Sequence, residues 1–546
     1  MTKWTRKFWQ PTPSTLSPAP FSVYKAYLDY IPFHRDRIPI YGNVSGHGLN
    51  FLDVHNSRIP GAPTDDVLRA RVVSIIASFN VTSGKVASTP EIGILAAQAW
   101  SSYFREPDPA SETALRRLTI FLAMGDEYGL DSFIEGAGGV DALAIMVVKL
   151  LDYLLHSKLG PEATTRNLGG VMVFCRRSED HAWLSALRSH KFMAAMISVL
   201  LFAERLLEIP TEAGLYPELF KQAWQGFLQV SALDYDYAYI VEAVDAGFLQ
   251  LIVSISGKHI DWLGCRIQAS LEVIFKPATV YYPVLAALER TLPLIQQATS
   301  APAFISSVLY PDWEEFIDLV LDRLEVKKKF DSGEHVACRA CDNLECGKLL
   351  KKTDFKRCAG CEYNHYCSKD CQIKDWRTGH RELCHYIPLS EIPGPAYLTS
   401  RDRTFLRFLV AHDYERHRSE IFLSRIRTHH HGECLATLFD YKMGGVQIKI
   451  RSLSGADSLY LERVMRSGRR MHPVLVQVTT GQDHDQRWLL AIRSGASEVH
   501  DALFQLSKGL PLPPGTDTVS DLSPAVHHAV DELIERVCPQ IQEIVY

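Results

Sequence analysis

Eight of the chain's twelve cysteines lie between Cys338 and Cys384, in the stretch CRACDNLECGKLLKKTDFKRCAGCEYNHYCSKDCQIKDWRTGHRELC. Thiols gathered this densely form disulfides, act as redox pairs or bind metal. Disulfides need an oxidising compartment, and a redox pair needs a single Cys-x-x-Cys inside a sheet-and-helix unit. Neither requires His380, four residues before the last cysteine. Zinc does, because it takes four tetrahedral ligands, favours thiolate and imidazole, and accepts two sulfurs from a short Cys-x2-Cys loop.

The stretch parses into four ligand pairs: Cys341-x4-Cys346, Cys358-x2-Cys361, Cys367-x3-Cys371 and His380-x3-Cys384. The last two have i, i+4 spacing, which one helical turn brings to a common face. Eight ligands suffice for two zinc ions. Spacing alone leaves open whether neighbouring or alternate pairs share an ion.

The segments YCSKDCQIKDW (366–376) and GHRELC (379–384) resemble the MYND zinc finger, a cross-braced module that binds two zinc ions. The resemblance implies that Cys341, Cys346, Cys367 and Cys371 hold the first ion and Cys358, Cys361, His380 and Cys384 the second. The commoner family pattern opens with Cys-x2-Cys, which Cys338 and Cys341 would satisfy. That choice strands Cys346 and leaves sixteen residues before Cys358, whereas Cys346 leaves eleven, nearer the family's length. Cys346 is therefore preferred, and His365 and His385 fall off the family's ligand positions. Both sites would be fully protein-ligated, which makes the zinc structural. A segment this short with so few large apolar residues needs the metal in order to fold.

Between Cys338 and His385, ten Lys and Arg face seven Asp and Glu, a formal +3. Seven thiolates and two zinc ions add a net −3 and cancel it. Without a positive field or interleaved aromatics, nucleic acid is not the expected partner. The resemblance implies protein–protein recruitment, transcriptional regulation being one setting, and some MYND fingers grip proline-containing peptides. Trp376 and Tyr366 are candidates for such a surface, or else for the miniature core. The chain's own PTPSTLSPAP and GLPLPPG read as linkers before ligands.

The remainder of the chain must carry this finger. At 546 residues it is long enough for several domains, and 47% apolar and 22% charged residues with a net charge of −5 describe a globular, non-basic protein. No window approaches the ~18 apolar residues of a membrane span, and no signal-peptide core follows the basic N-terminus. The expected location is intracellular, in nucleus or cytoplasm, where clustered thiols bind metal.

Residues 1–65, rich in Pro, Gly and aromatics, predict an irregular arm. From 66 to 327, apolar residues recur at helical spacing. Three pieces, at 138–151, 190–207 and 245–256, each begin with a short polar or Gly turn and open an apolar helix, about fifty residues apart. They resemble armadillo or HEAT repeats, which stack into a solenoid; an irregular bundle is the other reading. The charged stretch 324–337 reads as a linker whose three lysines form a solvated helix end. The finger occupies 338–385. Residues 398–546 predict a small α+β domain: a helix over 400–426 capped by Ser400, hairpin arms around Gly444-Gly445 and Gly481, and a helix over 524–537 with Ser523 as cap.

The fold expected is thus mainly α: an armadillo/HEAT-like helical domain, a two-zinc finger and a small α+β domain. A SET-type lysine methyltransferase is the rival, since one group of these enzymes carries a MYND finger. Its methyl-donor motif is absent, and no phosphate loop, dinucleotide fingerprint or nucleophile constellation appears. The three histidines 429–431 and the turn 481–485 read as polar loops. Cys175, Cys265, Cys434 and Cys538 read as buried thiols. A non-enzymatic zinc-binding adaptor is the expectation.

Overall fold

The computed structural model describes residues 93, 94, 96–98, 100, 101, 119, 122 and 130–545. The latter span omits 177–180, 211–213, 232–236, 259, 334–337, 363, 386–398, 429–434, 454–457, 469, 480–484, 510–521 and 538–542. The N-terminal arm, the histidine run 429–431, the tip of the 481–485 turn, Cys434 and Cys538 lie outside the described residues.

Helices fill the first part: α1 (Leu130–Ala137), α2 (Val140–His156), α3 (Pro161–Cys175), α4 (His181–Ser189), α5 (Phe192–Glu204), α6 (Leu215–Ser231), α7 (Ala238–Asp245), α8 (Phe248–Ser256), α9 (Ile260–Ala269), α10 (Tyr282–Thr299) and α11 (Tyr310–Asp331). Tight corners join α1 to α2, α4 to α5 and α7 to α8. Each turns on a residue at positive φ: Gly138 and Gly139, then Lys191 at 61°, then Gly247 at 93°. The α4–α5 corner bends by 78° and the α7–α8 corner by 57°. These are the three look-alike pieces of the sequence.

Polar contacts at the same interval tie successive units together. His190 reaches Asp141 at 2.9 Å across 49 residues, Ser254 donates to Glu204 at 2.7 Å across 50, and Lys258 meets Glu208 at 2.7 Å across 50. A chain whose neighbours in space are one repeat length apart in sequence is stacked unit on unit. Among the described residues no single helix is long and apolar enough to cross a membrane.

The finger contributes β1 (Cys338–Ala340), β2 (Leu349–Lys351), β3 (Lys356–Arg357), β4 (His365–Tyr366) and α12 (Lys369–Asp375). Beyond it lie α13 (Ser400–Arg416), α14 (Arg418–Thr428), β5 (Leu435–Met443), β6 (Gly445–Ser452), α15 (Ser458–Arg466), β7 (Met471–Thr479), β8 (Asp485–Ser494), α16 (Glu498–Gly509), α17 (Pro524–Val537) and β9 (Glu543–Val545). The sheet runs β6-β5-β7-β8-β9, with β5 and β7 parallel and the other neighbours antiparallel. Strand β5 is buried from Leu435 to Tyr441, whereas β6 alternates as an edge strand does.

Several expectations are corrected. The linker at 324–337 is helix as far as Asp331, because Val326 and Phe330 continue the buried stripe of α11. Lys327 does not belong to a solvated helix end; it is buried and bonded to Glu289 and Asp331 at 2.7 and 2.8 Å. The helix after the finger starts from Thr399, not Ser400, in a reciprocal capping box with Asp402. It also breaks at His417 into α13 and α14. Cys175 is buried but Cys265 is exposed.

One apolar core runs from Phe133 through Phe316 and Phe405 to Leu533. It crosses from the stacked helices into the α+β unit. Phe405 of α13 lies edge-on to Phe330 of α11 and Tyr282 of α10, at 5.4 and 5.6 Å. The finger keeps a small core of its own around Tyr366 and Phe355.

Candidate metal centre

Two short antiparallel ladders place the donors. The register Cys338↔Lys351 to Ala340↔Leu349 puts Cys341 just past β1, with Cys346 in the loop back to β2. Pairing of Lys356 with Tyr366 closes a second loop that holds Cys358 and Cys361 and delivers Cys367 after β4. Ser368 then caps α12, its hydroxyl accepting from the Cys371 N–H at 3.2 Å. Cys367 therefore precedes the helix, and its i, i+4 partner reaches it from the first turn. Past α12, Gly379 at φ 141° kinks the chain, and one helical turn, Cys384 N–H to His380 carbonyl at 2.7 Å, carries the last pair. A side chain at Gly379 would be strained at this φ.

The donor atoms converge in two groups, Cys341, Cys346, Cys367 and Cys371 in one and Cys358, Cys361, His380 and Cys384 in the other. Alternate pairs along the chain are thus brought together. In the first group Cys346 and Cys367 sulfurs lie 3.8 Å apart, and those of Cys367 and Cys371 3.6 Å. In the second, Cys358 and Cys384 are 3.8 Å apart, and His380 Nε2 lies 3.7 Å from Cys361 and 3.3 Å from Cys358. A tetrahedron with Zn–S bonds of ~2.3 Å has S···S edges of about 3.8 Å, and mixed S···N edges near 3.5 Å. Disulfides would need ~2.05 Å. Both clusters are compatible with a zinc ion, and bound zinc would cross-link the two loops and the helix that supply them. Cys338 stands outside both groups, as do the buried His365 and the exposed His385.

Crowding shows in the acid strengths. Burial raises the Cys384 thiol to about 12, helped by the neighbouring Cys358. Burial likewise pushes Cys341 well up. For Cys358 burial also acts upward, but the N–H groups of Cys361 and Gly360 and the His380 imidazole outweigh it and bring the thiol to about 6. Without metal the raised thiols of Cys341 and Cys384 retain their protons, and zinc would expel them.

Around the donors, Tyr366 is fully buried and donates to Asp375 at 2.7 Å, while the Asn364 amide lies 3.2 Å from His380 Nδ1. Tyr366 therefore belongs to the core and not to a binding surface. Trp376 stands 39% exposed, one edge against the His380 ring at 5.6 Å, and Ile373, three residues before it, is 38% exposed. Both are candidates for contact with a partner.

Residues that sequence reasoning missed come from the α+β unit. Arg493 donates to the Cys341 carbonyl at 3.1 Å, Arg470 to the Glu345 carbonyl at 2.8 Å, and Arg466 to Thr378 at 2.8 Å. Separations of 88–152 residues left no local signal for these contacts.

The MYND finger family profile matches residues 338–384. Its match begins at Cys338, whereas the sulfur that joins Cys341 in space is that of Cys346. The MYND-type zinc finger protein MUB1 of Saccharomyces cerevisiae is 28% identical over 110 residues, covering 20% of this chain and 16% of MUB1. The MYND-type zinc finger protein samB of Aspergillus fumigatus is 28% identical over 121 residues, 18% of this chain and 20% of samB. Mouse programmed cell death protein 2 is 43% identical over 53 residues, 10% of this chain and 12% of that protein. The matched stretches thus span a fifth or less of these relatives. No solved structure matches the chain.

Proposed function

We propose that the MYND finger, compatible with two zinc ions, makes this chain a non-enzymatic protein–protein interaction adaptor that works inside the cell, in nucleus or cytoplasm. The observation carrying the reading is the closed donor set of each site: four protein ligands surround each centre and leave no position for a catalytic water. Zinc of this kind holds a surface in shape. The surface assigned to partners is the exposed side of α12 together with the turn that follows it, where Ile373 and Trp376 stand three residues apart, and the stacked helices would supply a second, broader one.

A proline-containing peptide suits Trp376, because a rigid extended ligand loses little entropy when it lies against an indole. Transcriptional regulation is the first setting in which to look for partners. The reading is tested by titrating the full chain with proline-rich peptides and by assaying methyl transfer with a bound donor. Trp376→Ala should weaken peptide binding severalfold while zinc content stays at two. Clear methyl-transfer turnover would overturn the adaptor reading; peptide binding indifferent to Trp376→Ala would remove α12 as its surface.

A further inference from the structure

The loop that carries the first metal site is also seated on the α+β unit. Leu344, between Cys341 and Cys346, is 3% exposed and packs on Met471 of β7 and Ala491 of β8, with Val464 of α15 beside them. The backbone of this loop is held as well. Buried Arg493 and half-buried Arg470 donate to the carbonyls of Cys341 and Glu345. At Gly347, just after Cys346, a Cβ would stand 2.4 Å from the Gly495 carbonyl oxygen, so two backbones meet with no room for a side chain. The helix leading to the second site is reached differently, through the long Arg466 side chain.

We infer that the first metal site is an intramolecular clamp: zinc on Cys341, Cys346, Cys367 and Cys371 shapes the loop that Leu344 docks on the β7–β8 face. The inference concerns the chain's own architecture and does not depend on what the finger recruits. A loop of six residues with a sulfur ligand at each end has few conformations once the metal is bound, and many without it. The loop's carbonyls also sit against a site that carries a formal −2 as Zn(Cys)4, and the two arginines that bind them complement that charge. Docking and zinc binding therefore favour one another, and by linkage the coupling is reciprocal: docking must tighten zinc at this site by the same factor by which zinc tightens docking, so a variant that no longer docks loses that factor in zinc affinity.

Hydroxyl-radical footprinting of the full chain, read at single methionines by mass spectrometry, tests this. Met471 is 6% exposed beneath Leu344, while Met465 and Met443, at 77% and 54%, report dose in the same molecule. In the wild type Met471 should be protected. In Cys346→Ser, with the first site emptied, its oxidation should rise severalfold toward that of Met465. Leu344→Asp removes no ligand; it should expose Met471 equally, still bind two zinc ions, and lose one of them to a chelator more readily than wild type. Protection of Met471 that survives loss of the first zinc overturns the clamp. So does an exposure in Leu344→Asp with unchanged zinc release, or an equal exposure in Cys361→Ser, which empties the second site instead.

Discussion

The guanidinium of Arg323 and the carboxylate of Asp413 meet at 3.1 Å with side chains only 2% and 1% exposed, joining the last of the stacked helices to the first helix after the finger. Tyr441 of β5 donates to the same carboxylate at 2.8 Å, and its ring lies 5.4 Å from the guanidinium carbon. One buried ion pair thus ties α11, before the finger, to α13 and β5 after it.

Removing one partner would strand the other in the core. Asp413→Ala should cost about 3–5 kcal/mol in urea unfolding, far more than loss of an exposed pair such as Arg166 with Glu162. Burial alone would raise the Asp413 carboxyl, but His412, Arg323 and Tyr441 outweigh it and hold it below the ordinary value. A depressed folded value means that the contribution is complete above the unfolded carboxylate pKa of ~3.9 and fades as pH falls through the folded one. The stability difference between wild type and Asp413→Asn should accordingly shrink only in that acid range.

Metal content separates the two readings of the first ligand pair. The full chain should carry two zinc ions by elemental analysis. Cys371→Ser should lower that number and Cys338→Ser should leave it unchanged, since Cys338 sits at the outer end of the β1–β2 ladder. Loss of zinc with Cys338→Ser and retention with Cys346→Ser would reverse the assignment.

Two glycines should differ in their tolerance of alanine. At Gly247, φ is 93° and the nearest heavy atom to an added Cβ is the tip of Gln250, at 3.6 Å. The cost of Gly247→Ala is the left-handed backbone, about 1–2 kcal/mol. At Gly444, φ 85° in the β5–β6 turn, an added Cβ would stand 2.7 Å from the backbone of Lys276. Gly444→Ala must move the turn away from the Lys276 backbone, so its melting temperature should fall further.

The three consecutive lysines should behave unequally. Lys328 and Lys329 are exposed, and their replacement by alanine should change unfolding free energy by no more than ~0.5 kcal/mol. Lys327→Ala, which removes two close carboxylate contacts from a buried position, should destabilise by at least ~1 kcal/mol in the same assay.

The two clusters of donor groups were legible because the spacing within each pair is local. A Cys-x2-Cys loop or an i, i+4 turn commits two donors to one point wherever the segment is placed, and three of the four pairs have that form; Cys341 with Cys346 was preferred on the length of the gap to Cys358. Interleaving was not in the spacing; it came from the resemblance, and the two ladders bring alternate pairs together. The helical corners at Gly138-Gly139 and Gly247 were visible through glycine, while Lys191 does the same task in the left-handed region without a residue type to advertise it. Tyr366 could have faced either way by sequence. Its hydroxyl on Asp375 and its ring beside His380 settle it inward.

What the amino-acid order determined by itself was short-range: thiol and imidazole pairs set for zinc, helical period up to α11, strand arms around Gly444. Those properties depend on neighbours within a few residues, whose relative positions the backbone dictates. Tertiary structure alone decided the rest, including the Arg323–Asp413 tie, the seating of Leu344 on Met471 and Ala491, and the burial of Lys327. Each of these depends on which distant surfaces meet, and that is a property of the packed chain as a whole, since the same Leu or Lys in another register would face water.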